Sequence, residues 1–299
     1  MTQHLIKLNG IFPPIPTSFG PDGNISAQAI TKNLEYWNGF ALRGYIVLGS
    51  NGEFVMLTEP EKLQVFEVAR AAIPSDKLMI AGTGCQSTVE TTALTKKAAA
   101  IGADLTLVLT PSYYRGRMDK EAMIKHYFTV ADSSTVPVLI YNMPACTGID
   151  LSADTIAALS RHSNIVGIKD SGGNIVKMGE VRRLADPGFQ ILAGSASFFL
   201  PALSVGVAGG ILAMANIAPG KCLDIYQYFL DGEWEKARDL QVQIIRVNNA
   251  ITSVWGVAAL KAALDMLGLF GGQVRMPLLP LNEEIKRQLR DILHESDII

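Results

Sequence analysis

Eight short apolar runs recur along this chain, each parted from the next by a longer amphipathic segment. That alternation limits the possible folds more than any other feature. The runs are residues 11–17, 44–49, 78–82, 105–110, 136–142, 165–169, 189–194 and 209–214. Apolar runs with little alternation mark strands covered on both faces, as in parallel sheets. Helix starts lie between them. Thr58-Glu59-Pro60-Glu61 is a capping box with Pro inside the first turn, and Ser87-Thr88-Val89-Glu90 is a second box. Ser26, Asp119 and Ser152 open three more amphipathic segments. Strand–helix alternation implies βαβ units with right-handed crossovers. Eight such units within about 230 residues predict a closed (β/α)8 barrel rather than an open sheet. From Pro219 onward the pattern is helical, broken at Asp231-Gly232 and again at Gly271-Gly272. The expected organisation is therefore a barrel over residues 1–230 and a helical extension over 231–299 packed on it, together one structural domain.

Charge narrows the function classes. The chain has 26 basic and 28 acidic residues in 299, a net charge of −2, and its longest basic cluster is Arg182-Arg183. Such a balance argues against a nucleic-acid or membrane-surface partner. Residues 1–7 carry no signal-peptide apolar region, and no apolar stretch reaches the roughly 20 residues of a membrane span. Cys85, Cys146 and Cys222 are odd in number and widely spaced, which suits a reducing, cytoplasmic setting better than a disulfide framework or a zinc site. His4, His126, His162 and His294 fall in the tail or in helical segments, away from every predicted strand end. Histidine catalysis and metal ligation are accordingly not expected, and no phosphate-binding glycine motif points to a nucleotide cofactor.

The chemistry-bearing residues cluster at predicted strand ends. In Ile165-Val166-Gly167-Ile168-Lys169 the period-2 alternation puts Ile165, Gly167 and Lys169 on one face. If that face is the barrel interior, Gly167 leaves room below Lys169, and the lysine points into the mouth where barrel active sites sit. Desolvation disfavours an ammonium, and a neutral amine there can form an imine with a ketone. Taken alone, a lysine at a strand end is more often a solvated group. Tyr141 ends the neighbouring run and shares a face with Leu139; a phenol beside such a lysine can shuttle protons, though a lone tyrosine more often caps the core. Gly49-Ser50-Asn51-Gly52-Glu53 follows the second run, with small residues and two side-chain donors suited to a carboxylate, or simply to an ordinary turn. Arg115 or Arg117, after the fourth run, could meet a second substrate carboxylate bidentately, or sit on the surface.

Three signals at the C-terminal ends of three separate strands are more specific than any one. Over nearly its whole length the chain resembles the dihydrodipicolinate synthase / N-acetylneuraminate lyase family of class I aldolases. The matching pieces are Gly-Ser-Asn-Gly-Glu (49–53), Thr-Pro-Ser-Tyr-Tyr (110–114), Tyr-Asn-Met-Pro (141–144), Gly-Ile-Lys-Asp-Ser (167–171) and Ala-Gly-Ser-Ala (193–196). The resemblance implies Lys169 as the Schiff-base lysine and Tyr141 as the proton shuttle. It implies Ser50 and Asn51 on the carboxylate of a pyruvate moiety, and Tyr113 in a hydroxyl relay from Ser50 or from a neighbouring subunit. It implies a small oxo-acid substrate, no metal or other cofactor, and a homotetramer built as a dimer of dimers. Ser171 is a further candidate for the distal part of the substrate. Two departures bear on that substrate. The synthase branch usually has Arg two residues after the Pro of Tyr-Asn-x-Pro, where this chain has Cys146, and usually reads Gly-Thr-Thr-Gly-Glu where this chain has Ser50 and Asn51. Tyr-Tyr-Arg-Gly-Arg-Met (113–118), Lys-Asp-Ser-Gly-Gly (169–173) and Leu-Ala-Gly-Ser-Ala (192–196) look most like the 4-hydroxy-2-oxoglutarate aldolase branch, whose members release pyruvate and glyoxylate. The synthase, a sialic or sugar-acid lyase or dehydratase, and a non-catalytic keto-acid-binding barrel remain the alternatives.

Overall fold

The computed structural model describes residues 6–299, so His4 lies outside the described residues. Eight parallel strands form one sheet: β1 (Gly10–Phe12), β2 (Gly44–Val47), β3 (Leu78–Gly82), β4 (Leu105–Leu109), β5 (Val138–Asn142), β6 (Ile165–Asp170), β7 (Gln190–Ala193) and β8 (Gly209–Ile211). Their order, β1-β8-β7-β6-β5-β4-β3-β2, leaves only β1 and β2 to be joined. The Ile15 N–H donates to the Ile46 carbonyl and the Ile46 N–H to the Pro13 carbonyl, both at 3.0 Å, which closes the ring. The predicted (β/α)8 barrel is the observed fold. Strand β1 ends at Phe12 and not at Thr17 because Pro13 and Pro14 carry no N–H to extend the ladder.

The strands alternate with α1 (Ala27–Asn38), α2 (Glu59–Ala72), α3 (Thr88–Ile101), α4 (Lys120–Ser133), a single turn α5 (Pro144–Thr147), α6 (Ala153–Leu159), α7 (Ile175–Leu184), α8 (Phe199–Ser204) and α9 (Pro219–Leu230). The sequence signals for their starts are realised as hydrogen bonds. The side chains of Ser26, Ser87, Asp119 and Ser152 each accept the N–H three residues on, a cap contributing about 1 kcal/mol. At α2 the Thr58 N–H donates to Glu61 Oε2 at 2.8 Å, completing a reciprocal box. At α3 the Glu90 carboxylate takes the Ser87 hydroxyl at 3.0 Å instead.

After α9 the chain continues as α10 (Trp234–Asn249), α11 (Gly256–Met266) and α12 (Glu283–Glu295). The break at Asp231-Gly232 is where the sequence signals it. A further break divides α10 from α11, where a π-helical turn at Ala250–Val254 runs into Gly256 at φ 63°. The next helix end falls at Met266, ahead of Gly268 (φ 76°), rather than at Gly271-Gly272. Among the described residues no helix is long and apolar enough to cross a membrane.

Two apolar clusters divide the interior. One includes a residue from every strand, among them Phe12, Ile46, Ile80, Leu107, Leu139 and Leu192, and fills the barrel. The other joins outward strand residues such as Ile140, Ile168 and Ile191 to the helices. Strand β6 does not follow strict alternation. Its ladder to β5 steps from Val138↔Ile165 to Leu139↔Gly167, so Val166 is an extra residue. Ile165 therefore packs outward against the helices and Val166 inward, which corrects the expectation that Ile165 shares a face with Lys169. A bulge of this kind re-aims a strand part-way along its length.

His162 lies in the turn before β6, at the opposite end of that strand from Lys169, with Nε2 3.0 Å from Asp132. His126 on α4 is buried, with Nδ1 2.9 Å from Thr88 Oγ1 and Nε2 without a partner. Burial lowers its pKa from 6.5 to about 4. The fold thus holds a neutral imidazole while the unfolded chain takes up a proton below pH 6.5. Its contribution is complete above 6.5 and falls as pH drops towards 4, by at most about 1.4 kcal/mol per unit. In denaturant unfolding at pH 7 and pH 5, the stability of the native chain relative to H126Q should fall on acidification. A pH-independent difference would contradict this assignment.

Candidate active site

Lys169 and Tyr141 are direct ladder partners at the C-terminal ends of β6 and β5. Both side chains are buried, each residue 3% exposed, and Lys169 Nζ stands 3.9 Å from the centroid of the Tyr141 ring. Tyr141 belongs to the barrel-filling cluster, so the pair faces inward. Gly167 makes space beneath it. A Cβ there would lie 2.2 Å from the Gln190 carbonyl oxygen and 3.1 Å from Leu139 Cδ1, so any side chain would collide with backbone.

The third member comes from the turn after β2. Ser50 Oγ lies 3.1 Å from Tyr141 Oη, forming a chain from Lys169 through the phenol to a hydroxyl. That turn is a 3₁₀ turn, Ser50–Gly52, bracketed by two left-handed residues that are not glycine, Leu48 (φ 61°) and Glu53 (φ 54°). Left-handed backbone costs a residue with a Cβ roughly 1–2 kcal/mol and persists only where its surroundings hold it. At one end the Leu48 carbonyl packs so closely on Gly82 that a Cβ there would sit 2.0 Å from the oxygen. At the turn's centre the Thr17 hydroxyl donates to the Gly52 carbonyl at 2.6 Å. The Asn51 amide nitrogen is buried without a partner, as is the hydroxyl of Thr110 at the end of β4. Unpartnered buried donors at strand ends are what an anionic ligand would satisfy.

A cleft of about 610 Å³ opens above this turn, lined by Ser50, Glu53, Gln86, Thr110, Cys146 and Leu278 among others. Lys169 does not line it; Ser50 links the cleft to the buried pair. Cys146, on α5, is exposed. Its thiol is nonetheless partly shielded from solvent, which pushes its pKa up. The Arg115 guanidinium lies against Gly148, where Nη1 would be 2.9 Å from an added Cβ, just past the Cys146 turn.

Two sequence candidates stand apart from the cluster. Tyr113 is 80% exposed, stacked edge-on against Tyr114 at 5.0 Å, with its own N–H held by Gln86. Within the chain its phenol is not joined to Ser50. Ser171 donates to the Gly194 carbonyl at 3.4 Å and takes up the space a Cβ on Gly194 would need.

A polar network behind the site was not apparent from the sequence. Asp170, next to Lys169 but facing the helices, is 2% exposed and lies 3.0 Å from Lys177 Nζ. It accepts from the Gly172 N–H at 2.7 Å and from Asn142 Nδ2 at 3.3 Å. Asn142 also donates to Asp150 at 2.8 Å, and Asp150 pairs with Lys177. The network thus ties the ends of β5 and β6, which carry Tyr141 and Lys169, to α7 and the loop after α5. Among the described residues no group of three or more His, Cys, Asp or Glu could hold a metal.

Residues 7–296 match the family model described as the dihydrodipicolinate synthetase family. The chain belongs to that family. It is 34% identical over 285 residues to a 4-hydroxy-tetrahydrodipicolinate synthase of Methanothrix thermoacetophila, covering 95% of each chain. It is 37% identical over 292 residues to a probable mitochondrial 4-hydroxy-2-oxoglutarate aldolase of Emericella nidulans, covering 96% of this chain and 94% of that one. Among solved structures it resembles the chloride-inhibited dihydrodipicolinate synthase of Acinetobacter baumannii complexed with pyruvate. There the TM-score is 0.92 and the identity 29%, over 98% of this chain and 100% of that one. The chain is thus an aldolase-type carbon–carbon lyase that processes small oxo acids.

The network behind the site makes a stability prediction. K177M removes the cation from a buried carboxylate and should cost about 3 kcal/mol, the lower end of the range for breaking a buried pair, since Gly172 and Asn142 still donate to Asp170. Guanidinium unfolding measures the loss, and the double variant D170N/K177M should recover part of it. A K177M midpoint equal to that of the native chain would contradict this account.

Proposed function

We propose that this lyase works through a Schiff base on Lys169 and that its substrate is 4-hydroxy-2-oxoglutarate, cleaved to pyruvate and glyoxylate. The observation that carries the Schiff-base reading is the inward array of Lys169, Tyr141 and Ser50, with an amine, a phenol and a hydroxyl in sequence at the barrel mouth. The neutral Lys169 amine attacks the C2 ketone, and Tyr141 passes protons as the carbinolamine loses water to give an iminium. The C4 hydroxyl then loses its proton, the C3–C4 bond breaks, and its electron pair moves into the iminium to form an enamine. Glyoxylate leaves; protonation at C3 and hydrolysis return pyruvate and free Lys169. Ser50 and the unpartnered Asn51 amide bind the C1 carboxylate. Ser171 serves the distal end of the substrate.

The choice of substrate rests on Cys146 and Arg115. Cys146 supplies no cation where the synthase branch usually has arginine, while Arg115, against Gly148, can meet a distal carboxylate. The 37% identity to the probable 4-hydroxy-2-oxoglutarate aldolase supports this. The second reading is 4-hydroxy-tetrahydrodipicolinate synthase, favoured by the Methanothrix relative. We further propose a homotetramer in which a neighbouring subunit's Tyr113 completes the hydroxyl relay. Tyr113, Tyr114 and Val55 are 80%, 71% and 67% exposed on the same side as the cleft, as an apolar contact would require. Three unpaired cysteines suit a cytoplasmic setting.

Borohydride reduction in the presence of pyruvate should add a stable mass at Lys169. K169A should abolish turnover, and Y141F should lower kcat by about 10²–10⁴-fold, the range for a lost proton-transfer group. An unmodified Lys169 with turnover retained in K169A would end the Schiff-base reading. Release of pyruvate from 4-hydroxy-2-oxoglutarate, set against condensation of pyruvate with aspartate semialdehyde, separates the two substrate readings.

A further inference from the structure

The buried pair of Glu53 and Lys261 connects the substrate turn to the far end of the chain. Glu53 ends the Ser50–Gly52 turn in left-handed backbone, and its side chain is 0% exposed. Oε1 lies 2.5 Å from Lys261 Nζ on α11, whose side chain is 1% exposed. Oε2 accepts the Arg275 N–H at 2.8 Å. Lys261 in turn donates to the Gln273 carbonyl at 2.7 Å and stands 4.4 Å from the centroid of the Phe19 ring. The Arg275 guanidinium packs on the same ring, also at 4.4 Å, and reaches Glu61 at 2.7 Å and the Met56 carbonyl at 3.2 Å. Residues 261, 273 and 275 all follow the last strand, so the segment after the barrel grips the turn that follows β2.

Burying two charges is costly, and replacing such a pair with apolar residues is often neutral or stabilising. Stability alone is therefore a weak reason for the pair, and geometry supplies a better one. The turn has to hold a residue with a Cβ at φ 54°, and it aims the Ser50 hydroxyl and the Asn51 amide. We propose that Glu53 and Lys261 are positioning residues that fix the carboxylate-binding turn, so that the C-terminal helical segment forms part of the substrate-recognition machinery. This rests on the reading of Ser50 and Asn51 as the carboxylate site. Neither side chain need touch substrate; both act through the backbone of residues 50–53.

The test compares two probes on the full-length protein: pyruvate, and its methyl ester, which offers the same ketone without the charged carboxylate. Borohydride trapping at Lys169 is followed against probe concentration for the native chain, E53Q and the double variant E53Q/K261M. The glutamine keeps an acceptor for the Arg275 N–H, and the double variant removes both charges should E53Q alone fail to fold. The half-saturating pyruvate concentration should rise by about tenfold, equivalent to about 1.4 kcal/mol. That for the methyl ester should stay within about twofold, and the limiting extent of trapping should be retained. Equal shifts for the two probes, or none in a folded variant, would overturn the proposal while leaving the Schiff base intact. Absence of trapping in the native chain would instead remove the functional reading together with the inference that rests on it.

Discussion

Everything at the mouth of this barrel depends on the register between β5 and β6. Side chains alternate along a strand, so a slip of one residue moves the whole set to the other face. From Ile165, strict alternation would tie the direction of Lys169 to that of Ile165. The extra residue Val166 breaks that tie: Ile165 and Ile168 serve the helix-facing core, while Val166 fills the barrel. Gly167 follows and carries no side chain to crowd the space. The bulge thus lets a strand that begins in the outer core end with Lys169 beside Tyr141.

The next residue shows what that register protects. Asp170 points the other way and takes its cation from Lys177 at 3.0 Å, with Gly172 and Asn142 donating to its second oxygen. A carboxylate held against Lys169 instead would favour the ammonium form, which cannot attack a ketone. Alternation thus separates two ionisable neighbours, giving one a salt bridge against the helices and the other a phenol in the barrel. The proposed nucleophile and the structural ion pair share one strand end without sharing an environment.

The fold and the meeting of Lys169, Tyr141 and Ser50 at strand ends were largely legible in the sequence, for a definite physical reason. Strand identity, helix caps and the direction of side chains at a strand end are local properties, written in apolar runs and in residues such as Ser26, Thr58 and Asp119. The β5–β6 bulge was hidden because Ile165-Val166-Gly167-Ile168 is apolar throughout, so alternation there has no polar marker. Long-range pairs were equally hidden. Glu53 was visible as part of a turn motif, but nothing nearby signalled that its partner lies more than 200 positions later, at Lys261. Asp170 and Lys177 are close in sequence, yet their burial is set by α7 and the loop after α5. Tyr113 illustrates the opposite limit. Its place was readable, but its proposed relay needs a subunit interface, which a single chain leaves exposed.

In the proposed reading, selectivity beyond the ketone depends on where positive charge sits near the cleft. A retro-aldol reaction needs only the iminium, but a substrate with a second carboxylate also needs its far end held. Cys146 contributes no such charge, because a thiol is neutral or anionic, and partial burial disfavours its anion. Arg115 lies one loop away, against Gly148, and any side chain on that glycine would press on its guanidinium. On that reading, a cation in the loop after β4 rather than the turn after β5 would meet a distal carboxylate from a different direction. Catalysis and selectivity then fall, in the proposed reading, to separate parts of the barrel: the chemistry to the paired ends of β5 and β6, whose register is fixed, and the choice of partner to the loops after β4 and β5.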